Sequence, residues 1–131
     1  MKEAGTLLVE ILENQKVERV FCVPGESYLS VMNGLQDTSI ETVLCKHEGV
    51  ASLMAEADGK LTGRPGIAFV TRGPGATNAV TGLTDALMDS IPLVCISGQV
   101  PSHLIGTDAF QECDTVGITR PVSYTHLTLP T

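Results

Sequence analysis

Short apolar runs alternate with helix-periodic segments along this chain, and that alternation narrows the fold more than any other feature. Arg19–Val23, Thr42–Cys45, Ile67–Thr71 and Pro92–Ser97 read as strands, each brief, apolar and bounded by turn or polar residues. Glu3–Asn14, Glu26–Leu35, Glu48–Leu61 and Ala76–Met88 carry apolar side chains at helical spacing. The expected inward stripes are Ala4, Leu7, Leu8, Ile11 and Leu12 in the first segment, and Tyr28, Leu29, Met32 and Leu35 in the second. In the fourth, Val80, Leu83 and Leu87 are expected inward. Strands joined by helices require right-handed crossovers, and so a mostly parallel sheet covered on both faces. The expected fold class is therefore α/β, a three-layer α/β/α sandwich. Gly98–Asp114, irregular and polar, reads as a long functional loop.

Composition excludes several function classes. At 131 residues the chain forms one domain with a real core. Hydrophobic content of 43% against 18% charged residues excludes a disordered chain. A net charge of −7 argues against a nucleic-acid surface, which needs clustered Lys and Arg. No apolar run reaches membrane-spanning length, so no membrane partner is expected. The start, Met1-Lys2-Glu3-Ala4-Gly5, is not read as a secretory signal. Cys22, Cys45, Cys95 and Cys113 form no Cys-x-x-Cys pair and read as buried thiols of a reducing compartment, with a cytoplasmic location. His47, His103 and His126 show no metal spacing, and no metal site is expected on this chain.

Three strand ends carry unusual residues: Pro24-Gly25 after the first, His47-Glu48-Gly49 after the second, and Gly73-Pro74-Gly75 after the third. In an open α/β sheet these ends line one crevice, where ligands bind. Glu48 alone is compatible with simple stabilisation of a helix dipole; its company favours a functional role. The glycine loop is compatible with an anion nest or with tight helix–strand packing. It lacks the Gly-Lys-Ser/Thr of a phosphate-binding loop, and its glycine spacing fails the dinucleotide fingerprint at Asn78. Asn78, expected in the first turn of its helix, caps locally or reaches a ligand. Phe110-Gln111, within Asp108-Ala109-Phe110-Gln111-Glu112, reads either as a substrate contact or as a loop anchored in the core.

His47-Glu48-Gly49, Gly73 to Asn78, Leu83-Thr84-Asp85-Ala86 and Asp89-Ser90-Ile91-Pro92-Leu93-Val94 together resemble the N-terminal pyrimidine-binding domain of thiamine-diphosphate-dependent enzymes. Ser97-Gly98-Gln99-Val100-Pro101, with Ile105 to Glu112, narrows the resemblance to large catalytic subunits of the acetolactate synthase (acetohydroxyacid synthase) family. It spans roughly Gly5 to Val122. The resemblance implies that Glu48 hydrogen-bonds the pyrimidine N1′ of thiamine diphosphate and so promotes deprotonation of the thiazolium C2. It implies that Gly25, Pro74 and Asn78 lie near the pyrimidine, that Phe110 and Gln111 line the reaction centre, and that Val100 and Pro101 border an access channel. The implied reaction condenses pyruvate with a second 2-keto acid, the cofactor acting as electron sink. Mg2+ is expected in a separate diphosphate-binding domain, and FAD in a central domain where the enzyme carries it. The implied partners are a second copy, in a homodimer or homotetramer, and a regulatory subunit.

The chain departs from the family in three ways. Gly25-Glu26-Ser27-Tyr28 replaces the usual Gly-Gly after the first strand, which leaves a 2-keto acid decarboxylase or oxidase as the alternative. Asp58 stands where an aromatic is common. Residues 1–122 match the pyrimidine-binding domain, whereas 123–131 match nothing in the family, so a truncated, inactive fragment with a foreign tail is expected. Two other readings stay open: a non-catalytic subunit that pairs with a separate diphosphate-binding chain, and a plain flavodoxin-like binding domain.

Overall fold

The computed structural model of the protein describes residues 2–123. The expected tail lies, from residue 124 onward, outside the described residues, as does His126. Four strands, β1 (Arg19–Cys22), β2 (Glu41–Leu44), β3 (Gly66–Val70) and β4 (Leu93–Ser97), form one sheet in the order β2-β1-β3-β4. Every pair is parallel, in the register Phe21↔Val43, Phe21↔Ala68 and Ala68↔Cys95. Helices α1 (Ala4–Asn14), α2 (Leu29–Gln36), α3 (Glu48–Thr62) and α4 (Gly73–Asp89) supply the outer layers, and a short α5 (Thr115–Thr119) follows the long loop. The expected α/β architecture is present.

Strand alternation divides the core. Val20, Cys22, Ile67 and Phe69 point to one face, where they meet Val9 and Leu12 of α1 and Val31 and Leu35 of α2. Phe21 and Ala68 point to the other face, against Ala51 and Ala55 of α3. Full burial on both faces explains why β3 reads as a continuous apolar run, since neither side meets water.

The helix stripes differ from the sequence expectation. In α1 the buried residues are Gly5, Val9 and Leu12, while Leu7 and Ile11 are exposed. In α2 the buried pair is Val31 and Leu35, and Leu29 faces out. In α4 the buried stripe is Gly73, Gly75, Ala76, Ala79, Gly82 and Ala86; Leu87 is exposed, and Val80 and Leu83 are only half-buried. The physical reason is close approach. α4 packs against α3, whose facing residues are themselves small, and large side chains would hold the two helices apart.

Polar contacts fix the layers at specific points. Arg19 of β1 reaches Glu41 of β2 at 3.3 Å and Asp58 of α3 at 2.8 Å. That gives Asp58 a local structural role. Glu56 of α3 is buried, with Asp85 and Asp89 of α4 and Lys60 around it. Burial, and then the Asp85 charge, push its carboxyl above the ordinary glutamate value, while Lys60 acts in the opposite sense. The folded state therefore holds a proton that the unfolded chain releases. Stability is full below the ordinary glutamate value and falls as pH rises through the raised folded value. Thermal unfolding between pH 4 and pH 7 is expected to show this slope. Glu56→Gln is expected to flatten it and to raise the midpoint at pH 7; a variant with the wild-type slope would assign the pH dependence elsewhere.

Candidate functional site

An all-parallel sheet sends every strand's carboxyl end to one edge. The chain turns outward in opposite directions from β1 and β3, so the crevice opens between their ends. Four segments meet there: Val23–Tyr28, His47–Gly49, Thr71–Asn78 and the loop after β4.

Glu48 is the first residue of α3. His47 caps that helix, its Nδ1 accepting from the Gly49 N–H at 3.0 Å, so a backbone donor is satisfied next to the carboxylate rather than by it. Glu48 is half-buried, and its Oε2 accepts from Asn78 Nδ2 at 2.9 Å. No partner for Oε1 is found among the described residues, which leaves one oxygen to hold or pass a proton. Asn78 is not in the first turn as expected. The glycine segment is itself helical, so α4 begins at Gly73 and Asn78 lies in its second turn. That start also settles the nature of the supposed loop: Gly73-Pro74-Gly75 is a first helical turn, with proline near its N-terminus where no N–H is needed.

Gly25 lies in extended backbone at the mouth of the crevice. A Cβ at this position would stand 2.8 Å from the Thr71 Cβ and 3.3 Å from Tyr28 Cε1, so only glycine lets the two strand ends close. Tyr28 is buried, stacks on Phe69 with ring centroids 5.9 Å apart, and donates its hydroxyl to the Val23 carbonyl. Burial, then Cys22 and the Glu48 charge, raise its phenol well above the ordinary value, so it stays neutral beside Glu48. The sequence reading placed Tyr28 on an apolar face and gave it no place at the site.

The loop after β4 is built rather than irregular. Glu112 folds back to accept from the Gly106 and Ala109 N–H groups and clasps the turn between them. Phe110 is 72% exposed, which rules out the core anchor, and its ring lies 5.8 Å from the Arg72 guanidinium carbon. Gln111, half-buried, has left-handed backbone (φ 61°), a strained conformation for its residue type. Its carbonyl packs directly on Gly73, where a Cβ would collide with it. Val100 is buried rather than open, so of the expected channel pair only Pro101 is exposed.

Arg72 is the residue that sequence reasoning passed over. Its side chain is 10% exposed, it pairs through Nη2 with Glu26, and its Nε finds no partner among the described residues. A basic residue immediately after a buried strand was the available signal. The four cysteines are free, and only Cys22 is fully buried; Cys45, Cys95 and Cys113 are half-buried, against the expectation of buried thiols. Burial raises the Cys22 thiol and takes Cys95 to about 11, so both are protonated at neutral pH. Among the described residues no group of side chains could hold a metal ion, and no helix is long and apolar enough to cross a membrane. A groove between α4, β4 and α5, lined by Ala86, Leu93, Cys95 and Thr119 among others, lies away from Glu48.

Residues 2–118 match the model of the thiamine pyrophosphate enzyme N-terminal TPP binding domain. The chain belongs to that family. Thiamine diphosphate is therefore the cofactor of the domain's family, and a carboxylate with one free oxygen at the mouth of a crevice fits a ring nitrogen that must share a proton. The chain is 50% identical over 123 residues to acetolactate synthase isozyme 3 large subunit of Escherichia coli, which covers 93% of this chain and 21% of that protein. It is 48% identical to the acetolactate synthase large subunit of Buchnera aphidicola over 117 residues, 88% of this chain and 20% of the relative. It is also 48% identical to the chloroplastic acetolactate synthase of Arabidopsis thaliana over 123 residues, 93% of this chain and 18% of the relative. The chain thus spans about a fifth of the length of the curated relatives it matches.

The Gly73–Gln111 contact yields a test of how this thiamine pyrophosphate domain positions its loop. Gly73→Ala is expected to push the Phe110 turn off α4 and to cost about 1–3 kcal/mol by denaturant unfolding. Proteolytic cleavage within 98–114 should quicken in step. Unchanged cleavage would show that the loop is held by other contacts.

Proposed function

We propose that this chain is the pyrimidine-binding part of a thiamine-diphosphate-dependent carboligase of the acetolactate synthase type, which condenses pyruvate with a second 2-keto acid. The observation that carries the reading is the Glu48 carboxylate, fixed by Asn78 at the edge of the crevice with one oxygen free. When bound, thiamine diphosphate supplies the carbanion chemistry; the protein contributes orientation and proton placement. In this reading Glu48 holds a proton at the ring nitrogen N1′, and Asn78 keeps the carboxylate from turning away. Gly25 and Pro74 give the ring close backbone approach. Gln111 acts at the reaction centre, with Phe110 and Pro101 along the substrate path and Val100 buried beside Pro101 as its support.

The rest of the assembly belongs to the same proposal. Residues 1–122 are the pyrimidine-binding domain and 123–131 a segment outside it. Mg2+ would be held with the diphosphate by another domain, and FAD by a central one. An apolar strip on α3 and α4, with Val50, Leu53, Met54 and Met88 exposed, supports assembly with a second copy, as homodimer or homotetramer. A regulatory subunit is the further partner. Free cysteines support a reducing compartment, the cytoplasm. The pyrimidine-binding domain alone is expected to be inactive, because in this reading the site is shared with a diphosphate-binding domain.

A second reading is favoured by one observation. Glu26, absent from the usual Gly-Gly motif, is anchored at the crevice by Arg72, and this altered charge supports a 2-keto acid decarboxylase or oxidase. One experiment addresses both readings. Residues 1–122 are joined to the remaining domains of an acetolactate synthase and supplied with pyruvate, thiamine diphosphate and Mg2+. Acetolactate is the expected product, and Glu48→Gln is expected to lower the rate at least about 100-fold, the usual scale for a positioned acid or base. Acetaldehyde in place of acetolactate would select the second reading. Full activity in Glu48→Gln would leave Glu48 as a helix-start carboxylate only.

A further inference from the structure

Arg72 stands out among the arginines whose partners are described. Arg19 reaches two carboxylates, and Arg64 reaches Glu18 together with the Lys16 carbonyl; both are substantially exposed. Arg72 is the most buried of the three and makes a single side-chain hydrogen bond among the described residues, to Glu26. A desolvated guanidinium needs its donors satisfied more than an exposed one does, so the order is the reverse of what stability alone would select.

The geometry of the unpartnered edge is specific. Nε–H and the outer Nη2–H lie on one edge of the guanidinium and form a fork that matches the two oxygens of a carboxylate. Glu26 occupies only the Nη2 half, from a side chain that is 63% exposed, and Nε is left orphaned. The fork lies between the ends of β1 and β3, with Phe110 across its face. A Ser27–Thr71 hydroxyl contact of 3.0 Å holds the two segments together beside it. The geometry points to Arg72 as the carboxylate receptor of the site: a small 2-keto acid takes both fork positions, and Glu26 is an internal stand-in that swings into water when the substrate arrives. The substrate class rests on the function proposed above. The receptor itself rests on the half-filled fork.

Glu26 in this arrangement is a competitor, and the apparent affinity for substrate is reduced by the fraction of time it occupies the fork. It also discriminates. A neutral ketone gains nothing at the fork and cannot displace a charged side chain, whereas a keto acid replaces one carboxylate by another with a better-filled edge.

The test measures binding of pyruvate, with acetone as the uncharged control, to the full chain by NMR titration without cofactor. Pyruvate is expected to shift resonances of residues 25–28, 71–73 and 110–111, and acetone is expected to leave them in place. Glu26→Gln should tighten pyruvate binding about tenfold, and Arg72→Gln should weaken it by at least as much, the scale of a charge-assisted hydrogen bond. Arg72→Lys should recover little, because an ammonium lacks the planar fork. Equal binding of acetone and pyruvate, or unchanged affinity in Glu26→Gln, would overturn the assignment. Glu26 is exposed, so that variant decides the question even where Arg72→Gln fails to fold. The two proposals fail separately. Carboxylate binding at Arg72 alongside a fully active Glu48→Gln enzyme would remove the cofactor role and leave the receptor. Glu48-dependent turnover with no carboxylate discrimination would do the reverse.

Discussion

Parallel strand direction is the constraint on which the rest depends. All four strands run the same way, so all four carboxyl ends share one edge, and each must hand its chain to a helix or loop there. Backbone groups at that edge leave the ladder and need partners. His47 supplies one for Gly49, the Glu112 carboxylate supplies two in the loop after β4, and Ser97 donates to the Thr71 carbonyl. Among the described residues, the sequence-predicted site residues all lie at this edge or in the loop after β4. Chemistry gathers where the topology has already collected polar backbone and released side chains from the sheet.

Small residues then determine how tightly that edge is drawn together. α4 buries glycine and alanine against α3, bringing Asn78 within hydrogen-bond reach of Glu48 on the neighbouring helix. The same stripe begins with Gly73, where the Gln111 carbonyl rests. One run of small side chains thus positions both the carboxylate's partner and the loop with Phe110. A larger residue in this stripe would separate the two helices and move Asn78 away from Glu48, although neither functional side chain had changed.

How much of this was legible in the sequence follows from what each signal measures. Strands were legible because β1 and β3 are apolar runs closed by Pro24-Gly25 and by the Gly73 turn. Helix existence was legible from spacing. Helix orientation was not: hydrophobicity ranks Leu87 above Ala86, but α4 packs on another helix, and close approach selects alanine. The same preference for large side chains misassigned Leu7, Ile11 and Leu29. Glu48 and Gly25 were legible because each stands just past the end of a strand, and the Phe110 turn because it falls in an irregular polar stretch between β4 and the next helix. The second-turn position of Asn78 was hidden because Gly-Pro-Gly reads as a loop by composition, whereas in the fold it is the first turn of α4, with the Gln111 backbone and Thr71 packed against its glycines.

Arg72 and Glu26 were invisible for a different reason. They are 46 residues apart, and neither belongs to a periodic pattern. Only the adjacency of β1 and β3 in the sheet brings them together. The pairing changes the meaning of both residues. An exposed glutamate after a turn is ordinary, and an arginine before a helix is ordinary, but a nine-tenths buried Arg72 side chain with half its fork unpartnered among the described residues is costly to keep. The site therefore contains two carboxylates in contrasting settings. Glu48 is held by a neutral amide and keeps one oxygen free, which suits a group that shares a proton. Glu26 is held by a cation and is otherwise in water, which suits a group that leaves when another anion competes for its partner. Position relative to the sheet produces that division, because Glu48 starts a helix after β2 whereas Glu26 faces Arg72 across the ends of β1 and β3.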